Sequence, residues 1–118
     1  MRRGGPLARR SPLKRKTRLA PVNRKRAAAR RAEAFGGRGE AVRGMACLVG
    51  QGCHGRIHAA HVRSRGAGGT RRDLVPLCEL HHREQHQRGI RTFEAAHGLD
   101  LSGEAARVAV ELDARGIE

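Results

Sequence analysis

The residues able to do chemistry are gathered in one stretch, CLVGQGCHGRIHAAHVRSRGAGGTRRDLVPLCELHHREQH, which runs from Cys47 to His86 and holds every cysteine and all but one of the histidines. Three thiols cannot all pair with one another within a chain, so a disulfide framework accounts for them poorly. Zinc, with a histidine completing the ligand set, accounts for them better and fits a reducing cytoplasm. Cys47, Cys53, Cys78 and His81 supply three thiolates and one imidazole, the donor set of a closed, tetrahedral, structural zinc site. The bland alternative is three buried cysteines acting as small apolar residues. His82 and His86 stand four residues apart, which on a helix sets them about 40° apart on one face, while Cys78 and His81 lie about 60° apart on another. One helix therefore serves two ions, and two imidazoles on an exposed face hold a divalent ion with positions left open for catalysis. His61, just before a glycine-rich loop, is placed to activate a water if the segment folds back over that helix. His58, three residues earlier, points to the opposite face of the strand and is read as a surface histidine.

These side chains need a scaffold, and the flanking residues suggest one. Gly50 and Gly52 between Cys47 and Cys53 suit a tight knuckle with two thiolates facing one ion. A strand is predicted over 56–62, a flexible loop over SRGAGGTRRD, and a second strand over 74–77. The loop glycines lack the strand-to-helix spacing of a phosphate cradle and read as a long hairpin connection. A helix follows over 78–88, closed by Gly89, then a short helix over 92–97 that stops at Gly98. In the last segment Ala105, Val108 and Leu112 recur at helical spacing, which predicts a helix over 103–114 that packs on the domain. Upstream, Asn23 is an N-cap for RKRAAARRAEAF, which predicts a basic helix over 24–35. Residues 36–46 are glycine-rich and read as a linker. The organisation expected is thus a basic arm over 1–35, a linker over 36–46, a metal-centred domain over 47–100 and a C-terminal helix within 101–118.

Composition narrows the partner. The chain has 118 residues, 25 Lys and Arg against 11 Asp and Glu for a net charge of +14, and only 2% aromatic residues. The core must be small, and a metal helps such a core fold. Residues 1–31 carry basic residues throughout and no acidic one, with Pro6, Pro12 and Pro21 among them, so disorder is expected up to about residue 21. The partner that fits this charge is nucleic acid, held through backbone phosphates by Arg15, Lys16, Arg24, Lys25 and Arg26, a contact that does not encode sequence. No apolar run is long enough to span a membrane, and no basic segment has an apolar face for lying on one. No apolar stretch follows the first arginines as a signal peptide requires, so a cytoplasmic location is expected. Phe35 and Phe93 are the only aromatics, too few for the stacking platform of an RNA-binding surface.

Taken in order, HAAHVRSRGAGG, DLVPLC and ELHHREQH resemble an HNH endonuclease of the ββα-metal (His-Me finger) class, the small phage-type proteins in particular. The resemblance covers roughly residues 45–100, and the basic PLKRKT segment is similar as well. It implies an α+β fold in which a two-stranded hairpin and a helix form the ββα-metal core, buttressed by a zinc knuckle and flanking helices. It also implies hydrolysis of DNA phosphodiester bonds. His61 matches the general base that activates water, and Asp73 occupies the position of an asparagine that holds the loop and so orients the base. His82 and His86 match the ligands of a catalytic divalent ion (magnesium, manganese, nickel or zinc), with Arg63 and Arg83 as phosphate contacts. DNA, together with phage or host DNA-processing proteins, are the partners such a module implies. Two departures stand out: Asp73 cannot donate an amide hydrogen bond, and Ala60 stands where many members place a further ligand directly before the base, which leaves metal affinity weak or His58 to reach in from the same strand face as residue 60. A chain whose site had decayed at these positions would instead be a non-catalytic, zinc-stabilised DNA-binding protein.

Overall fold

The structure, a computed structural model, describes residues 23–118, and among them five α-helices surround one two-stranded antiparallel sheet in an α+β arrangement. Expectations for the first residues, the disorder up to about residue 21 and the contacts of Arg15 and Lys16, lie outside the described residues. The first helix, α1 (Arg24–Ala34), starts where the cap residue predicts, with Asn23 Oδ1 accepting from the Arg26 amide at 3.1 Å. Only Ala34 of this helix is buried, so α1 projects its arginines outward and is held at its C-terminal end.

The segment expected as a linker is a second helix, α2 (Gly36–Arg43). Three glycines and a β-branched residue give it poor intrinsic propensity, each glycine costing about 1 kcal/mol relative to alanine. Tertiary contacts outweigh that cost. Val42 is fully buried, and Arg38, 3% exposed, donates to the Ala109 carbonyl at 3.3 Å and pairs with Asp113. A Cβ at Gly39 would lie 2.9 Å from the Phe35 Cβ, so the turn closes only with glycine there.

The hairpin follows, β1 (Ile57–His61) antiparallel to β2 (Leu74–Cys78), in a register that sets Ile57 opposite Cys78 and His61 opposite Leu74. Pro76 is accommodated because a two-stranded sheet leaves each strand an open edge, and its carbonyl accepts from Leu48, tying the knuckle to the sheet. Next come α3 (Glu79–Arg88) and α4 (Ile90–His97), the latter starting two residues earlier than the sequence suggested. The last helix, α5 (Leu101–Ala114), also begins early, because Asp100 caps it by accepting from the Gly103 amide.

Two apolar clusters share the interior. Ala60, Val62, Val75, Leu77, Phe93, Leu101 and Ala105 form one; Val42, Ala59, Leu74, Val108 and Leu112 form the other. The predicted stripe Ala105, Val108, Leu112 is buried as expected, spanning both. α2 packs on both strands, α5 on β2, and α3 on both strands and on α4, which brings the knuckle, the hairpin end and the helix that follows it into one neighbourhood. No helix among the described residues is long and apolar enough to cross a membrane.

Candidate metal centre and histidine cleft

Cys78 ends β2 and caps α3, its Sγ 3.4 Å from the His81 amide, so strand, cap and first helical turn deliver Cys78 and His81 together. The knuckle brings the other two thiols to them. Gly50 and Gly52 have φ of +71° and +63°, left-handed values that let seven residues turn back on themselves. His81 Nδ1 lies 3.0, 3.5 and 3.8 Å from the Sγ atoms of Cys78, Cys47 and Cys53, and all four donor atoms fall within 4.8 Å of one another. Tetrahedral zinc with Zn–S near 2.3 Å and Zn–N near 2.0–2.1 Å sets each S···N separation at about 3.5 Å. The observed separations bracket that value, so the residues fit the ion. Electrostatics agrees. Desolvation and the neighbouring Cys47 and Cys78 push the Cys53 thiol from 9.0 up to about 11. Desolvation also acts on Cys78, but it is outweighed by hydrogen bonds from the His81 and His54 backbone and from the two thiols, and its pKa falls below the ordinary value. Three thiols in contact share negative charge poorly without a cation among them. The cluster can therefore hold a metal such as zinc.

The second constellation lies in a cleft of about 460 Å³ lined by Phe35, Ala59, His61, His82, Gln85 and His86 among others. α3 presents His82 and His86 on one face as their spacing predicts, with Nε2 atoms 3.0 Å apart. That separation matches two adjacent positions on an octahedral ion with bonds of about 2.1 Å, which span about 2.9–3.0 Å. His82 is not fully solvent-facing as expected. Burial first, then the charges of His86, His58 and His61, push its imidazole from 6.5 down to about 4, so at neutral pH it is uncharged and keeps a lone pair. Gln85, 4% exposed and between the two histidines, carries a buried Oε1 with no hydrogen-bond partner among the described residues. A buried acceptor of this kind ordinarily has a water or ion nearby.

His61 enters the same cleft from the end of β1. Its Nε2 lies 2.8 Å from the Ala34 carbonyl, which can only accept, so Nε2 carries the proton and Nδ1 is left as the free base. Phe35 packs edge-on against the ring at 4.8 Å between centroids. Asp73 holds the loop, its carboxylate accepting from the Thr70 amide at 2.8 Å and its carbonyl from the Val62 amide. The partner that fixes the His61 ring is the end of α1, however, and not Asp73. Ala60 is likewise clarified. At 1% exposure among Val75, Leu77 and Phe93 it is a packing position, where a carboxylate ligand would be turned into the core.

Strand alternation led His58 to be read as a surface residue, and that reading is corrected. It is half-buried, with Nδ1 2.9 Å from Nδ1 of His82. The sequence offers His58 only as a stand-in for the ligand absent at position 60; its meeting with His82 depends on how α3 crosses the hairpin. The Ala34 carbonyl was equally hidden, since a backbone atom from a distant element has no side-chain signature. A further trio was missed: His97 at the end of α4 has its Nε2 3.0 Å from Oε1 of Glu84, which stands one turn beyond His81 on α3, so the three group their donor atoms together.

Among the basic residues, Arg24, Lys25, Arg26 and Arg63 are exposed. Arg83 is exposed too but is 3.3 Å from Glu79 in an i,i+4 pair. Arg65, not singled out from the sequence, lines the cleft and reaches the Arg30 carbonyl, tying the loop to α1. Phe93 is fully buried and Phe35 half-buried, so no aromatic stacking surface is exposed among the described residues. No protein-family model, curated protein or solved structure matches the chain.

Proposed function

We propose that the chain is a metal-dependent endonuclease built on a ββα-metal core, hydrolysing DNA phosphodiester bonds. The observation that carries this reading is the joint placement of His61, His82 and His86 around one cleft, with the His61 tautomer fixed by the Ala34 carbonyl. In this reading β1 and β2 with α3 are the ββα unit, and the Cys47, Cys53, Cys78 and His81 cluster is its structural zinc site.

His61 Nδ1 takes a proton from water as the water oxygen bonds to phosphorus and the P–O3′ bond breaks; the departing 3′ oxygen takes a proton from solvent, leaving a 5′ phosphate and a 3′ hydroxyl. The imidazolium that forms keeps its Nε2–H on the Ala34 carbonyl, at the C-terminal end of α1, where the helix dipole favours a cation. His82 and His86 would hold the divalent ion whose charge lowers the cost of the pentacoordinate phosphate and of the departing 3′ oxygen. Arg65 at the cleft offers charge to the flanking phosphates, and the arginines of α1 extend that surface from the base outward, whereas Arg63 lines a separate pocket with Arg72 and residues of α5. Such contacts are to the backbone, so low intrinsic sequence preference is expected.

Supercoiled plasmid incubated with the protein and magnesium, manganese or nickel should be nicked, and both EDTA and His61→Ala should abolish nicking. Binding without cleavage under every metal would replace this reading with that of a zinc-stabilised DNA-binding protein.

A further inference from the structure

We propose that His58 is a positioning residue for the histidine pair, accepting the proton on Nδ1 of His82 and thereby directing the Nε2 lone pair of His82 to the ion shared with His86. The proposal rests on the catalytic reading of that pair and goes beyond it, since His58 belongs to neither ligand set described above.

His82 stands in the middle of a row of three imidazoles and uses a different nitrogen toward each neighbour. Its Nδ1 faces His58 Nδ1 at 2.9 Å, and its Nε2 faces His86 Nε2 at 3.0 Å. A neutral imidazole has one N–H and one lone pair, so the row can carry its protons in either of two directions. A cation on the Nε2 atoms of His82 and His86 removes the choice. Those atoms must then offer lone pairs, the His82 proton must sit on Nδ1, and among the described residues the group within hydrogen-bond reach of it is His58. His58 takes the acceptor role, with its own proton on Nε2. The rings are edge-on, 87° between planes, which leaves the N–H of one ring free to point along the lone pair of the other.

Direct ligation by His58 fits less well. The two lone-pair directions of an imidazole diverge widely, so an ion between the Nδ1 atoms of His58 and His82 cannot also sit on the Nε2 side with His86. Histidine ligands commonly donate their second N–H to a fixed acceptor, and losing that partner typically weakens metal binding about 10–100-fold. Strand β1 supplies the acceptor here, and the ligands come from α3, so the sheet sets the aim of the helix residues.

The test uses the full chain carrying one equivalent of zinc, titrated with nickel by calorimetry as wild type, His86→Ala, His58→Leu and His58→Gln, with zinc content and thermal midpoint confirming that each is folded. Nickel binding should require His86, weaken about 10–100-fold in His58→Leu, and stay within about threefold of wild type in His58→Gln, whose carbonyl still accepts. In the nickel-free protein saturated with zinc at both sites, nitrogen spectra should place the His82 proton on Nδ1. Wild-type affinity in His58→Leu, with His86 still required, overturns the positioning role and leaves the site standing. Equal losses in His58→Leu and His58→Gln overturn it in favour of direct ligation. Nickel binding indifferent to His86 removes the site itself, and the proposal with it.

Discussion

Replacing Cys78 by serine strikes the fold at the point where the most structure meets. Cys78 is fully buried, ends β2, caps α3 and lies 3.0 Å from His81 Nδ1 within the four-residue cluster. The apolar core that remains is small. Its bulkiest fully buried side chains are Phe93, Leu74, Leu77, Leu101 and Leu112, each contributing about 1.5–3 kcal/mol. Ordering each residue of backbone costs about 1–2 kcal/mol, so a core of this size leaves little surplus. An ion bound only by the folded chain adds stability in a calculable way: about 1.4 kcal/mol for each tenfold rise of free zinc above its Kd, and about 4.1 kcal/mol at a 1,000-fold excess. A small domain has about 5–15 kcal/mol in all, so the effect is large. Urea unfolding at free zinc clamped by metal buffers reads it directly. The wild-type midpoint should climb with each decade of free zinc while the denaturant slope stays constant, and Cys78→Ser should lose most of that climb. A wild type whose midpoint is unmoved across three decades would refute the zinc assignment, and so would a Cys78→Ser variant that climbs as steeply as wild type.

Other consequences follow from burial and charge. Ala60→Asp, which would place a carboxylate directly before His61, should destabilise the protein by about 3 kcal/mol or more without strengthening metal binding, because position 60 packs with Phe93 and Leu77; urea unfolding and calorimetry check both halves. Changing Arg24, Lys25 and Arg26 to glutamine, all exposed on α1, should lower the salt slope of DNA binding by up to about 2.7, from about 0.9 per phosphate contact, and an unchanged slope would make α1 a bystander. Asp113 is held at about 2 by its hydrogen bonds and charge pairing with Arg72 and Arg38, well below the 3.8 of an ordinary aspartate. The unfolded chain therefore takes up this proton first, so the stabilisation is complete above about pH 4 and lost as pH falls toward about 2. Asp113→Asn should be less stable than wild type at neutral pH, with the gap closing across that acid window in thermal unfolding.

The pieces fixed by local chemistry were legible in the residues. Asn23 caps α1, the glycines at 50 and 52 turn the knuckle, and the spacing of His82 and His86 sets them on one face, because each depends on a few neighbours in the chain. The grouping of Cys47, Cys53, Cys78 and His81 was legible for a related reason: few arrangements satisfy three thiols and an imidazole at once. α2 was not legible, because its glycines argue against a helix and the contacts that overrule them, Arg38 to Asp113 and Val42 to the core, come from residues far along the chain.

For this protein, then, the sequence by itself determined which side chains could serve as ligands or as a base, since donor chemistry and helical spacing are local properties. Only the tertiary structure decided how they are aimed. The Ala34 carbonyl that fixes the His61 proton, the His58 nitrogen that meets His82, and the core that claims Ala60 all depend on elements distant in the chain packing against one hairpin. Orientation of this kind arises from packing, and packing has no signature in the spacing of residues.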